Sequence, residues 1–237
     1  MNVLIIHAHP EPRSFTTALK DAAVDELTRH GHHVQVSDLY SMHFDPIAKA
    51  NDFSSRQDEA YLVYALEQRH ALSSGGLAPD IAAEVDKLKL ADLIILSFPM
   101  FWFSVPAIMK GWIDRVLLSG LCYGGRRFYD RGGLRGKRML AAFSLGSREN
   151  MFGTDAIHGE LEAMLRPLLR GTFYYVGCDV LEPFIAWHVP YVTAADRGAI
   201  LDRYRARLAG IASDVPLSFP SLDEFDDQMQ RRQKLAI

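Results

Sequence analysis

The sequence predicts an α/β protein, a doubly wound parallel sheet with helices on both faces. Three observations carry this. Short apolar runs rich in β-branched residues alternate along the chain with stretches whose apolar residues recur at helical spacing. The leading runs, Val3-Leu4-Ile5-Ile6, Leu93-Ile94-Ile95-Leu96 and Met139 to Phe143, are apolar at every position, as strands buried on both faces must be. Each of them ends in a polar, aromatic or glycine-bearing exit: His9–Thr17, Pro99–Phe103 and Ser144–Ser147. Open α/β sheets bind ligands at such carboxyl-terminal edges.

In chain order, the first run is a strand ending at His7-Ala8-His9. Pro10-Glu11-Pro12-Arg13 turns the chain, Ser14 is an N-cap, and Phe15, Leu19, Ala22, Ala23 and Leu27 form a helical stripe. His33 to Leu39 alternates as a second strand. Tyr40 to Pro79 is long and irregular, and such a length in a compact domain is more often functional than idle. Ile81 to Leu90 is helical and leads into the third strand. Ser104 reads as the next N-cap, with Pro106 in the first turn and Ile108, Trp112, Val116 and Leu117 at helical spacing. Leu121 to Lys137 is a loop rich in glycine and arginine. After the Met139–Phe143 strand, Gly159 to Leu169 is helical, Thr172 to Val176 and Val180 to Ala186 are strand-like, and Ala194 to Ile211 is a helix. The boundaries expected are a catalytic domain over 1–215 and a polar surface tail over 216–237.

The chain has 237 residues, 49% hydrophobic and 23% charged, with a net charge of −3, which suits one large domain with a sizeable core. This balance gives no electrostatic reason to expect nucleic acid or an anionic membrane. Cys122 and Cys178 lack disulfide-framework density and metal-ligand spacing, so reduced thiols, a cytoplasmic location and no metal are expected. The N-terminus lacks the basic region of a signal peptide, and no apolar stretch approaches membrane-spanning length, so no membrane insertion is expected.

The first strand exit lacks the G-x-G-x-x-G of a dinucleotide fold. It offers instead His9, Arg13, Ser14, Thr16 and Thr17 at a helix N-terminus, where free N–H groups and partial positive charge favour phosphate. The third-strand exit carries four aromatics in six residues, Phe98 to Phe103, ahead of a second proline. One or two such rings would read as core, whereas four in a loop with two prolines read as a wall. A phosphate seat between two walls, one aromatic, describes a flavin site better than a nicotinamide site.

Seven blocks of the chain resemble the FAD-dependent NAD(P)H:quinone oxidoreductases, the DT-diaphorase branch of the flavodoxin-like superfamily. They are AHPEPRSF, SDLYSMHFDPI, LAPDI, ADLIILSFPMFWFSVPAIMKGWIDRV, FYD, MFGTDAIHG and VLEPF, spread over residues 1–219. The resemblance implies a flavodoxin-like fold, bound FAD in preference to FMN, NADPH or NADH as hydride donor, and a homodimer with its pocket at the subunit interface. It implies two-electron reduction of quinones by alternating (ping-pong) use of one site, with azo or nitro acceptors as an extension. Carried over by position, the FAD contacts fall on His9, Phe15 and Thr16, beside the cap Ser14. Those around the flavin ring fall on Met100, Phe101, Trp102 and Phe103, and on Ser144, Leu145, Gly146 and Ser147. Arg197 matches an arginine near the adenine end. Trp102 and Phe103 are expected to form the surface on which nicotinamide and quinone stack in turn.

Two departures stand out. The family's tyrosine–histidine pair beside the flavin falls on Phe152 and His158, so only the imidazole remains as a catalytic donor. The family's two gating tyrosines fall on Tyr123 and Gly125, with Arg126 and Arg127 replacing small neutral residues. These changes leave fold and cofactor in place and bear on substrate preference. The other histidines, His7 among them, are expected on the surface or in loops. The competing readings are a flavodoxin-type electron carrier and a flavin-bearing ancillary subunit of a potassium efflux system.

Overall fold

The computed structural model describes residues 1–232. Its centre is a wholly parallel sheet. The strands are β1 (Asn2–His7), β2 (His33–Asp38), β3 (Leu93–Pro99), β4 (Arg138–Ser144), β5 (Asp179–Val180) and β6 (Phe184–Ala186). They run in the order β2-β1-β3-β4-β5, and β6 pairs with β4 beyond β5. Pro183, which has no N–H to give a ladder, lies in the break between these two short strands.

Alternate residues of the strands feed opposite faces. Leu4 and Ile6 of β1 join one core, with α3 (Pro79–Leu90), α4 (Ala107–Val116) and α5 (Leu161–Leu168). Val3 and Ile5 join the other, under α1 (Phe15–Arg29) and α6 (Ala194–Ala209). All seven residues of β3 are buried, which fits its place in the middle of the sheet.

The structure corrects four local expectations. The segment 40–79 contains a helix, α2 (Tyr64–Ser74), whose buried face is largely polar. Glu67 accepts the backbone N–H groups of Gln57 and Asp58, and Gln68 binds the Ser119 N–H and the Asp114 carbonyl. Ser104 does not cap α4. It pairs with Phe101, and Pro106 occupies the cap position without a side-chain bond. Thr172–Val176 is not a strand. α5 runs through Pro167 into a wide helical turn over Leu169–Tyr174, where the Tyr175 N–H reaches back five residues to Arg170 O at 3.1 Å. His7 is buried rather than superficial.

The loop between β2 and α2 is fastened from beneath. A Cβ on Gly111 of α4 would lie 2.3 Å from the Pro46 backbone, so this close approach requires glycine. At the far end, the Leu217 N–H donates to Val180 O at 2.7 Å and Phe219 rests on Tyr174, their ring centres 4.7 Å apart. Ser221 and Asp223 then bond Asp130 and Arg131. The expected tail thus follows the domain's aromatic flank as far as it is described, and its last residues, 233–237, lie outside the described ones. Both cysteines are buried and free, and burial pushes the Cys122 thiol up to about 12, which leaves it a packing residue.

Candidate active site

The carboxyl ends of β1, β3 and β4 open together on a cleft of about 710 Å³. β1 and the turn after it bring His9, Arg13, Ser14, Phe15 and Thr16 to this cleft. Ser14 caps α1, its Oγ accepting the Thr17 N–H at 3.0 Å. The first N–H groups of α1 have no intrahelical partner and face the end where an anion is favoured. His9 Nδ1 lies 3.0 Å from the Glu11 N–H and 3.1 Å from the Glu11 carbonyl, which fixes the ring against the turn. Burial lowers the His9 pKa, favouring the neutral form.

β3 brings Pro99, Met100 and Phe101, and β4 brings Ser144, Leu145 and Gly146. The Met100 N–H donates to Ser144 O at 2.8 Å, joining these two exits, and Thr16 Oγ1 lies 2.8 Å from Ser144 Oγ, joining β4 to the first turn of α1. The remaining wall comes from Val189, Pro190, Tyr191 and Arg197. Arg197 is the position that the resemblance carried to this end of the cleft, whereas Tyr191 and its neighbours, in a loop after β6, carried no signal.

Trp102 and Phe103 are not in the cleft lining. Phe101 and Ser104 exchange two backbone hydrogen bonds of 3.0 Å and so close a tight hairpin with Trp102 and Phe103 at its tip. Both tip residues are left-handed, with φ of 51° and 59°. That turn favours Asn-Gly, so two bulky rings there hold strain of order 1–3 kcal/mol each. The hairpin leaves Trp102 96% exposed. Phe103 turns instead toward an aromatic corner, its ring centre 5.3 Å from His158 and 6.3 Å from Phe152. Phe152 lies 4.9 Å from His158 and 5.4 Å from Trp187, a ring that the sequence did not single out. Ser147 Oγ is 3.4 Å from His158 Nε2, which ties the β4 exit to this corner.

Tyr123 and Gly125 lie apart from the cleft, in the loop beyond α4. Tyr123 packs on Tyr175 at 5.8 Å, and Gly125 is exposed with φ of 63°. Arg127 donates to the carbonyls of Gly120 and Leu121, and Arg126 beside it is exposed.

Residues 1–209 match the family described as having a flavodoxin-like fold. Relatives along nearly the whole chain decide the branch. NAD(P)H dehydrogenase [quinone] 1 of Rattus norvegicus is 37% identical, over 96% of this chain and 83% of the relative. Ribosyldihydronicotinamide dehydrogenase [quinone] of Mus musculus is 40% identical, over 91% and 94%. The chain belongs to the flavodoxin-like family, in its quinone dehydrogenase branch. A structure provisionally named a quinone reductase, from Klebsiella pneumoniae, superposes with a TM-score of 0.93 at 32% identity, covering 100% of this chain and 98% of that one. The fold and the resemblance expected from the sequence are both borne out. Among the described residues of this flavodoxin-like chain, no helix is long and apolar enough to cross a membrane.

Beneath the flavodoxin-like cleft, burial pushes the His7 imidazole from its ordinary value of 6.5 down to about 4. The unfolded chain therefore takes up a proton at higher pH than the folded one. The neutral ring's contribution is full above pH 6.5 and is lost as pH falls toward 4. Between those limits stability should fall with acidification by up to about 1.4 kcal/mol per pH unit on account of this group. Urea unfolding at a series of pH values should show a shallower slope for His7→Leu than for the wild type. Parallel curves would assign the acid sensitivity to other groups.

Proposed function

We propose that this chain is a flavin-dependent NAD(P)H:quinone oxidoreductase, holding FAD in the cleft and reducing quinones by two electrons in a ping-pong cycle. The observation that carries the reading is the cleft itself, formed by three strand exits at the carboxyl edge of the sheet, in a chain so close to named quinone dehydrogenases. The residues fit a flavin dinucleotide. Hydroxyls, helix N–H groups and Arg13 suit a pyrophosphate. Arg197 and Tyr191 extend the cleft beyond the capped turn, where the adenosine end would lie. Met100, Phe101 and Leu145 offer an apolar edge for a ring system.

When bound, a flavin accepts a hydride from a nicotinamide and passes two electrons to an acceptor. The chain's own residues bind and orient. His9, Ser14, Phe15 and Thr16 hold the anionic portion, and Ser144 to Ser147 back the ring. Trp102 and Phe103 supply the stacking surface for donor and acceptor in turn. His158 donates a hydrogen bond, and Phe152 packs against it without a hydroxyl to share that role.

Absorbance of the purified protein and mass spectrometry of the released flavin should show FAD. NADPH or NADH should be consumed with a simple benzoquinone and not without one. Absence of bound flavin, or of quinone turnover, would overturn the reading; flavin without turnover would favour the electron carrier. Trp102→Ala should weaken flavin retention and raise the quinone KM by roughly two- to thirteenfold, from about 0.5–1.5 kcal/mol of lost ring geometry. Full flavin occupancy with unchanged turnover in that variant would remove Trp102 from the site.

The active species is proposed to be a homodimer, in which a second copy covers the exposed Trp102 and brings Tyr123, Gly125 and Arg126 to the mouth. An obligate interface of this kind buries on the order of 2,000 Å² or more. Light scattering should give about twice the chain mass of 26.6 kDa at assay concentrations. Full activity at the monomer mass would exclude this arrangement. Loss of one gating ring together with Arg126 favours bulky or anionic acceptors, hydroxylated naphthoquinones and sulfonated azo dyes among them.

A further inference from the structure

Behind the first turn of α1 runs a buried string of side-chain hydrogen bonds with His7 at its middle. The ring is 1% exposed. Its Nδ1 lies 3.1 Å from Ser97 Oγ on β3, and its Nε2 lies 3.3 Å from Thr17 Oγ1. Thr17 Oγ1 is in turn 2.9 Å from Ser14 Oγ and 3.2 Å from the Glu11 carbonyl. On the other side, Ser97 Oγ reaches the Thr16 carbonyl at 3.5 Å. One imidazole thus supports the capping residue and its neighbours, and Ser14 and Thr16 are the ones that line the cleft.

The protons in this string can be counted. A neutral imidazole has one donor and one acceptor, and a threonine hydroxyl has one hydrogen. With the proton on Nδ1, His7 donates to Ser97 and Nε2 must accept from Thr17. Thr17 then gives up the Glu11 carbonyl, and its oxygen is left to accept the Ser14 hydroxyl. With the proton on Nε2, His7 accepts from Ser97, which gives up the Thr16 carbonyl, and donates to Thr17, whose own hydrogen is released to donate to Ser14 Oγ. Ser14 Oγ then accepts from both the Thr17 hydroxyl and the Thr17 N–H, which fills its two lone pairs, and its own hydrogen is free to turn toward the cleft. An anion seated there stabilises the second arrangement.

We propose that His7 is a positioning residue for the anion seat: through Thr17, its tautomer sets whether the Ser14 hydroxyl donates inward or outward to a phosphate in the cleft. This rests on the reading of the cleft as a dinucleotide site. Thr17 is the switching element, because its single hydrogen serves either Nε2 or Ser14 Oγ. Binding of a pyrophosphate draws the His7 proton to Nε2, whereas a flavin without phosphate leaves it where it was.

The test uses the full chain freed of flavin. Histidine ¹⁵N shifts read the His7 tautomer, and titrations with FAD, ADP and riboflavin read affinity. FAD and ADP should move the His7 proton to Nε2, and riboflavin should not. His7→Leu should weaken FAD binding by roughly tenfold, the size of one hydrogen bond to a charged group, and leave riboflavin within twofold. His7→Gln, which keeps a donor near the Nε2 position, should recover FAD affinity. His7→Asn, whose donor lies nearer Nδ1, should not. An unchanged tautomer on FAD binding, or equal losses for FAD and riboflavin, would overturn the role of His7 and leave the dinucleotide reading standing. A wild-type chain that binds neither FAD nor ADP would overturn both. If His7→Leu does not fold, the wild-type tautomer experiment decides alone.

Discussion

Arg115→Leu is expected to lower the stability of the folded chain by about 3–5 kcal/mol, the cost of leaving a buried charge without its partner. Arg115 is 2% exposed and Asp52 0%. Its Nη2 donates to Asp52 Oδ1 at 2.8 Å and its Nε to Oδ2 at 3.2 Å, a two-pronged pair. Nη1 continues to Asp80 at 2.7 Å and to the Asp45 carbonyl at 2.8 Å. Tyr64 donates to Asp52 at 2.5 Å, and the Phe44 ring lies under the guanidinium at 5.0 Å. Burial pushes the Asp52 carboxyl up, but the bonds from Arg115, Tyr64 and the Lys49 N–H outweigh it and hold the group below its usual range. One α4 side chain therefore fastens Phe44, Asp45, Asp52 and Asp80 at once, and with them the chain between β2 and α3.

Asp52→Leu in the Arg115→Leu background should recover part of the loss, since the pair removed together leaves no orphaned charge. Urea denaturation measures both variants. A change below about 1 kcal/mol would put Arg115 in the class of the exposed pairs, such as Lys110–Asp114.

The same cluster shows where a single sequence is readable. β1, β3 and β4 are apolar throughout because both faces are buried, so composition and position say the same thing. α2 buries Glu67 and Gln68, whose partners are backbone groups of distant loops, and a search for an apolar stripe passes over it. The segment after Pro167 has the β-branched and aromatic residues of a strand. It forms a wide turn because Tyr174 and Tyr175 are claimed by the rings of Phe128, Tyr129 and Phe219. Tertiary partners, absent from the local pattern, decide both cases.

The site divides the same way. The capped helix start that lines the cleft was legible because helix N-termini follow local rules that Ser14 obeys. His7 was not, because the spacing that made β1 a buried strand also carried its polar last residue inside. Nor did periodicity indicate that Trp102 and Phe103 would share one left-handed turn, which depends on Phe101 and Ser104 bonding each other.

His158→Ala is expected to slow reduction of the bound flavin by NAD(P)H by ten- to hundredfold at most, and Phe152→Tyr to speed it. A neutral flavin ring that gains a hydride accumulates negative charge at one edge, and an imidazole N–H there contributes a charge-assisted hydrogen bond. Such a bond is worth roughly 1.5–3 kcal/mol if realised fully in the transition state. His158 stands between Phe103 and Phe152 with Nε2 turned to Ser147 Oγ at 3.4 Å, a contact loose enough to be exchanged for a stronger acceptor. Phe152 fills the position from which a phenol would share that duty, so the imidazole acts without a second protein donor there, and water can enter in its place. The loss on removing His158 should therefore fall toward the lower end of the range, and the gain from Phe152→Tyr should be smaller still. The midpoint potential of the bound flavin should move with the rate, falling in His158→Ala and rising in Phe152→Tyr. Stopped-flow reduction and a redox titration measure the two together. A wild-type rate with a wild-type potential in His158→Ala would make the imidazole a packing partner of Phe103 and Phe152, and the site would then work through stacking and the anion seat alone.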